Sequence, residues 1–356
     1  MEARMVSEGR IARELCSALG PPGNPAEVGA AISQIVGRRV AHDALRLVGL
    51  NPALGIGLGA FSFWHEYRPA LISDLVLNRY LHGDPCPLPV LAQQSVPVCV
   101  VGAGAGDGRR NTQIRRVLAS HGAGSELRLV IRDRQGAWGL LGLLRAEGGR
   151  PFGESDVRQV QQLAPALLVA LREYVTAGPL APTVPALPTG VITIGADHTV
   201  RSISPQARAW MRQMWPAAGS GVPDWIADAF WVGLSLHVRT HTRDPHAWTP
   251  LICAPAANFG RWVLIHGQPL DENGDSDVAI LIQAAGGKLL LPSFCDWYGI
   301  TAGERRVIEH LYAGAAAKQI ARALDLSTYT VNDHLKSVYR KTGAQSRDEL
   351  IAAIAG

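Results

Sequence analysis

A chain of 356 residues has room for two or three domains. With 47% hydrophobic against 18% charged residues it reads as folded, core-forming protein, which excludes a disordered chain, while a formal net charge of +4 neither requires nor forbids a nucleic-acid partner. No apolar run of about 18 residues and no basic–apolar–small leader occurs, so the chain is expected to be cytoplasmic, with no membrane partner.

The N-terminal part reads as mixed α and β. Helical patterns cover residues 9–19 and 26–40, the second with Val28, Ile32, Ile35 and Val36 near helical spacing. Residues 54–64 are apolar, Gly-rich and aromatic and predict a buried strand. A helix over 69–80, a β-branched run over 95–101 and a helix over 111–120 follow. Two strand-like runs, 126–133 and 138–145, flank the turn-like stretch 134–137. A long amphipathic helix over 152–173 closes a first domain, placed at 1–177.

Prolines at 179, 182, 185 and 188 mark a semi-rigid linker over 178–188. A second domain, 189–286, opens with a hairpin of 191–194 and 199–203. Helices over 205–215 and 225–241 come next, and then strands over 249–254, 261–266 and 278–283. Residues 287–299 connect to the last domain, 300–356. All four lysines (Lys288, Lys318, Lys336, Lys341) lie in or beside that domain. Five cysteines (Cys16, Cys86, Cys99, Cys253, Cys295) are scattered without a CxxC pair, which argues against a zinc knuckle and against a disulfide framework.

The last 57 residues carry the sharpest signals. Thr301 and Glu304 have capping-box spacing, followed by Val307, Ile308 and Leu311 at helical period and Gly314 as a stop. Ile320, Ala321 and Leu324 mark a second helix. Ser327 can N-cap a third, on which Val331, Leu335 and Val338 share a face and after which Gly343 suits a left-handed cap. Ser346 and Glu349 predict another capping box before Leu350, Ile351 and Ile354. Four short helices with a helix-turn-helix at their centre result.

This stretch resembles the LuxR-type DNA-binding domain. The resemblance rests on Ile300, Thr301, Glu304, Val307 and Gly314, then Lys318 to Ala321, Leu324, Leu326, Ser327, Thr330, Val331 and His334, and finally Tyr339, Lys341, Gly343, Ser346, Arg347, Glu349 and Leu350. It departs from the family at Ala316 and Ala317, where a small polar residue is usual, so the scaffold helix lacks a side-chain cap. The resemblance implies base reading by Asn332, Asp333 and Lys336 and backbone contacts by Ser327, Thr328, Thr330 and Lys341. Helical geometry puts Arg340 on the same face. The stretch from Leu127 to Arg172 resembles the closing half of a GAF domain. Two strands, helices and three strands over 189–286, with Asp197 and Ser204 to Ala207, resemble a PAS domain. The expected fold class is multidomain α+β: a GAF-like α/β sensor, a PAS-like α/β domain and an all-α helix-turn-helix domain. The implied function is sequence-specific transcription regulation. Double-stranded DNA and RNA polymerase are the implied partners, with homodimerisation and an effector or partner sensed at the N-terminus.

Three other features of the sequence bear on chemistry. Gly102, Gly104 and Gly106 follow a strand but miss the dinucleotide fingerprint, since Asp107 stands where the third glycine belongs. His237 and His241 have metal-ligand spacing, with His246 as a conceivable third ligand, yet exposed or core histidines are commoner there. These two features carry the alternative reading, a nucleotide- or metal-dependent enzyme. Phe61, Phe63, Trp64 and Tyr67, with Trp138, are the candidate lining of an apolar ligand pocket. No nucleophile–base–orienter set stands out, so no enzyme activity and no cofactor are predicted.

Overall fold

The computed structural model describes residues 2–20, 25–54, 59–102, 108–214, 224–244 and 247–356. The first sheet comprises β1 (Ala44–Gly49), β2 (Phe61–His65), β3 (Val98–Gly102), β4 (Ala123–Arg132) and β5 (Ala137–Ala146), in the order β2-β1-β5-β4-β3 with antiparallel neighbours. Alternation fixes its faces. Leu45, Leu47, Leu127, Leu129, Ile131, Leu141 and Leu143 are buried against α1 (Glu2–Ala18), α2 (Pro25–Gly37) and α6 (Glu154–Thr176), with Leu15, Ile32, Leu167 and Leu171 opposite. Each such side chain contributes about 1.5–3 kcal/mol. The opposite face lies under α3 (Pro69–His82), α4 (Leu88–Gln93) and α5 (Arg109–Ser120), where Leu71, Ile114, Leu118, Leu88 and Leu91 are buried.

The hairpin over 126–145 forms as its turn chemistry predicts, with Arg132 opposite Ala137. Of the strand expected over 54–64, residues 61–64 belong to β2, Leu54 ends a 3-10 turn, and 55–58 lie outside the described residues. Strand β1 and helix α4 had no sequence counterpart. The alternation of Leu45 and Leu47 around Arg46 is a half-buried strand pattern, but too short to stand out.

The second sheet comprises β6 (Gly190–Ile194), β7 (Val200–Ile203), β8 (Leu251–Ala254), β9 (Val263–Pro269) and β10 (Val278–Ala284), in the order β7-β6-β10-β9-β8. Numbered within its own unit, each sheet therefore runs 2-1-5-4-3. Helices α7 (Pro205–Met214) and α8 (Asp224–Arg243) bring Trp210, Trp231, Leu234 and Val238 to a core that also holds Ile192, Ile194, Val278 and Ile280. A side chain at Gly267 would collide with Val238, so the bare backbone there lets α8 approach. A short α9 (Ala256–Phe259) precedes β9.

The connecting segments are not free spacers. Within 178–188, Thr183 N donates to Gly260 O at 2.8 Å, Arg261 to Val184 O at 3.1 Å and Trp210 Nε1 to Pro188 O at 2.9 Å. Residues 287–297 form a helix, α10 (Gly287–Trp297), with Leu290, Phe294 and Trp297 buried. Trp297 stands edge-on to Trp138 at 5.0 Å and lies 6.0 Å from Phe61. Phe294 faces Trp262 of the second unit at 6.4 Å, so α10 joins both sheet units. Pro292 inside the pattern disguised this helix in the sequence. Among the described residues no helix is long and apolar enough to cross a membrane.

Candidate nucleic-acid interface

The terminal helices form as their caps dictate. Helix α11 (Ala302–Tyr312) starts in a full capping box: Glu304 N donates to Thr301 Oγ1 at 3.4 Å and Thr301 N to Glu304 Oε2 at 2.7 Å. Helix α12 (Ala317–Leu324) starts at Ala316, which has no side-chain acceptor. Gln319 Oε1 accepts from Ala316 N at 2.7 Å, half of a box. Asp325 turns the chain in the left-handed region, φ 53°. Helix α13 (Thr328–Thr342) starts at Ser327, whose Oγ accepts from Thr330 N at 3.0 Å, and ends at Gly343 with φ 78°. Helix α14 (Arg347–Ala355) departs from expectation in one detail. Ser346 Oγ accepts from Glu349 N at 3.2 Å, but Glu349 Oε2 accepts from Gln345 N at 2.6 Å, one residue before the cap.

Val331 and Val338 are buried and Leu335 partly so, which fixes the rotation of α13 about its axis. Asn332, Asp333, Lys336 and Arg340 emerge together on its outer face, and Ser327 and Thr328 are exposed at its N-terminal end, where helix N–H groups favour phosphate. Thr330 is partly buried, and its hydroxyl lies 2.9 Å from Ser327 Oγ. The Lys336 side chain is 77% exposed and 3.9 Å from Asp333. A surface pair of that kind is worth about 0–1 kcal/mol, so Lys336 is free to exchange Asp333 for a base edge. Tyr329, 74% exposed, adds an aromatic ring to the same end of the helix.

Lys341 is placed differently. Its Nζ donates to Glu304 Oε2 at 2.6 Å, and only 24% of its side chain is exposed. Burial works against ionised Glu304, but hydrogen bonds from Lys341 and the Thr301 amide outweigh it and hold the carboxyl at about 2. Lys341 thus braces α13 against the cap of α11. Sequence spacing of 37 residues gave no hint of this pair.

The five residues expected to line one ligand pocket are divided between the two faces of the first sheet. Phe61, Phe63 and Trp138 lie in the core beneath α6, with Tyr174 at 5.1 Å from both phenylalanine rings. Trp64 and Tyr67 lie on the other face, with Leu71. Strand alternation separates them, because Phe63 and Trp64 are consecutive. Trp138 is structural: its Nε1 donates to Asp133 at 2.8 Å and Arg172 stacks on its ring.

Of the glycine-rich stretch, Gly102 ends β3, while 103–107, including Gly104, Gly106 and Asp107, lie outside the described residues, as does His246. His237 stacks on Trp248 at 6.1 Å, and His241 Nδ1 pairs with Ala247 O at 2.7 Å. Among the described residues no group of three or more His, Cys, Asp or Glu is placed to hold a metal ion. The cysteine expectation needs correction. Cys86 and Cys99, 13 residues apart, form a disulfide between β3 and the loop before α4, a tertiary proximity that spacing alone does not show.

With α12 and α13 packed as scaffold and presented helix, the C-terminal unit is a helix-turn-helix module. Residues 299–354 match the family model GerE, described as bacterial regulatory proteins of the luxR family. Among curated proteins, the chain is 32% identical over 92 residues to a protein of Escherichia coli (strain K12) named as an HTH-type transcriptional regulator, YhjB. It is 42% identical over 53 residues to the monoamine regulon transcriptional regulator of Klebsiella aerogenes. These alignments cover 23% and 15% of this chain and 45% and 23% of those proteins, so the chain spans less than half the length of either. Among solved structures, the bacteriophytochrome RpBphP3 of R. palustris aligns over 78% of this chain and 61% of its own at 11% identity. Its TM-score of 0.24 supports no assignment of fold.

Proposed function

We propose that this protein is a sequence-specific transcriptional regulator whose α13 enters the DNA major groove, under the control of a signal received by the two sheet units. The observation that carries the reading is the outer face of α13. It sets Asn332, Asp333 and Lys336 in exposed positions on a helix locked by Val331, Val338 and two caps, within a luxR-type unit. Lys donates to guanine, Asn pairs with adenine, and Asp accepts from the cytosine amino group. Ser327, Thr328, Thr330 and Lys341 serve the phosphates, and Arg340 extends the groove face.

The shared 2-1-5-4-3 strand order supports reading the first unit as GAF-like and the second as PAS-like. Pairing of two chains through α6 and α14 would set two recognition helices about one helical turn apart on DNA. RNA polymerase is the partner such a regulator addresses. Nothing in the histidine pair favours an enzyme, since both rings are otherwise engaged.

Genome-wide binding identifies the operator, and titration of that operator then tests the face. Asn332→Ala and Lys336→Ala are each expected to cost about 1–3 kcal/mol and to relax preference at one base position. Wild-type affinity and selectivity in both variants, with helicity intact, would overturn the assignment. Light scattering of the DNA complex is expected to give two chains per operator.

A further inference from the structure

The face of the first sheet beneath α3 is not closed by apolar residues alone. One cross-strand row there runs Trp64, Arg46, Gly142, Arg128 and Cys99, through all five strands. Gly142, at its centre, leaves room for Tyr67 and Glu126 above the sheet: a Cβ there would stand 3.3 Å from Glu126 Oε1 and 3.6 Å from the Tyr67 ring. Arg128 holds both carboxylates of the cluster. Its Nε donates to Glu126 Oε2 at 2.8 Å, and its Nη1 to the two oxygens of Asp84 at 2.9 and 2.8 Å. Tyr67 OH donates to Glu126 Oε1 at 2.8 Å. The two carboxylates are thereby used up.

Two further arginines reach the same volume. Arg46 rises from the sheet and Arg79 descends from α3; both are partly buried and lie within the electrostatic reach of Glu126. Arg46 Nε is enclosed without a hydrogen-bond partner, and among the described residues neither guanidinium is paired. Desolvation is the leading effect on both and lowers both pKa values; Asp84 and Glu126 work against it at Arg79, where Arg128 and Arg46 add to it, and Tyr67 and Glu126 work against it at Arg46. Helix α8 of the second unit packs against α3 and brings His237 near Arg79. Burial, and then Arg79, push His237 down to about 4, so it is neutral near pH 7 and adds no further positive charge. Burial also keeps the Tyr67 phenol protonated. Three arginines therefore face two carboxylates, an excess of one positive charge in a cluster where Arg128, Glu126 and Asp84 are buried and Arg46 and Arg79 partly so. Unpaired buried charge is costly, and arginine is the side chain whose planar fork best grips a carboxylate.

We propose that Arg46 and Arg79 anchor a binding site for a small organic monocarboxylate, enclosed between the first sheet and α3 with α8 as its far wall. A single negative charge balances the excess, whereas a phosphate dianion overshoots it. Trp64 beside Arg46 in the row, and the His237–Trp248 stack near Arg79, offer aromatic surface to an apolar body. The site borders both sheet units, so its occupation couples them. This regulatory role rests on the reading of those units as effector-sensing.

The test is thermal unfolding of the full-length chain in chloride buffer with acetate, benzoate, indole-3-acetate or inorganic phosphate added at matched ionic strength. At least one carboxylate is expected to raise Tm, and Arg46→Met and Arg79→Met each to abolish that rise. Without carboxylate, Arg79→Met is expected to unfold no earlier than wild type, because it removes uncompensated charge. The site is overturned if no carboxylate raises Tm, if the rise survives both substitutions, or if Arg79→Met is as destabilised as Arg128→Met in every buffer. A response to phosphate alone would overturn the ligand class. A carboxylate response through these arginines with no change in operator affinity would uphold the site and sink the sensing reading. Conversely, failure of the α13 variants to affect DNA binding would leave the site standing.

Discussion

Two buried glutamates, Glu126 in the first unit and Glu304 in the last, meet their surroundings in different ways. Glu304 is satisfied by one amide three residues before it and by one lysine, and no charge is left over. Glu126 belongs to a cluster in which Arg128 and Tyr67 take up its oxygens while, among the described residues, the Arg46 and Arg79 guanidinium groups have no hydrogen-bond or ion-pair partner. A closed network fixes a geometry; it holds α13 at a set angle to α11. An open one keeps binding capacity, at a cost in stability that a ligand of opposite charge would offset. The contrast separates a structural carboxylate from one that belongs to a candidate site, although both are buried and both touch a cation.

The sharpest break of this contrast is within the first unit itself. Arg128→Met removes the partner of both Glu126 and Asp84 and strands two carboxylates, and is expected to cost about 3–5 kcal/mol. Hydrogen exchange of the β4 and β5 amides would record the loss. An effect below that of Arg46→Met or Arg79→Met would mean that the pairing drawn above is misassigned.

A smaller effect is expected at Glu304. Glu304→Gln loses the ion pair with Lys341 and weakens the acceptor of the cap, at about 1.5–3 kcal/mol. Its pH dependence has a definite sign. The folded carboxyl is held at about 2, below its ordinary 4.5, so its stabilisation is complete above 4.5 and is lost as pH falls toward 2. Exchange protection in α11 and α13 should fall over that window in the wild type and fall less in Glu304→Gln. Equal acid sensitivity in both would place the titrating group elsewhere. Lys341→Ala shares this loss, so its DNA affinity has to be read against a fold control. It is expected to weaken binding to all sequences alike and to lower the salt slope by about one.

The same contrast explains what the sequence disclosed. The closed network has one leg inside a motif, Thr301 to Glu304, and the caps at Ser327 and Gly343 are equally local, so the last unit could be read almost residue by residue. The Lys341 leg crosses 37 residues and stayed hidden. In the first unit every contact that matters is distant: Asp84 to Arg128 spans 44 residues and Tyr67 to Glu126 spans 59. Aromatic density around Phe61 suggested a pocket there, but strand alternation sends Phe63 and Trp64 to opposite faces, and only the row through Gly142 shows which of them belongs with the arginines. Helix α10 was read as a connection because Pro292 interrupts its pattern, and its partners, Trp138 and Trp262, lie in two different units.

The smallest expected effect concerns the local side of the contrast. Helix α12 begins with Ala316 in extended geometry, φ −77° and ψ 156°, the conformation of a capping residue without the acceptor. Gln319 already supplies the return bond to Ala316 N. Ala316→Ser would complete the box by offering its hydroxyl to Gln319 N. That amide already bonds the Ala316 carbonyl at 2.8 Å, so the gain should fall at the low end of the usual range, about 0.5 kcal/mol. Exchange protection of the α12 amides should rise about twofold, with no change at β4 or β5. Ala316 is exposed, so the added hydroxyl meets no packing obstacle. If protection falls instead, the alanine is holding that helix end open for another contact, and the phosphate backbone of the operator is the first candidate to examine, by comparing the salt dependence of DNA binding in the two proteins.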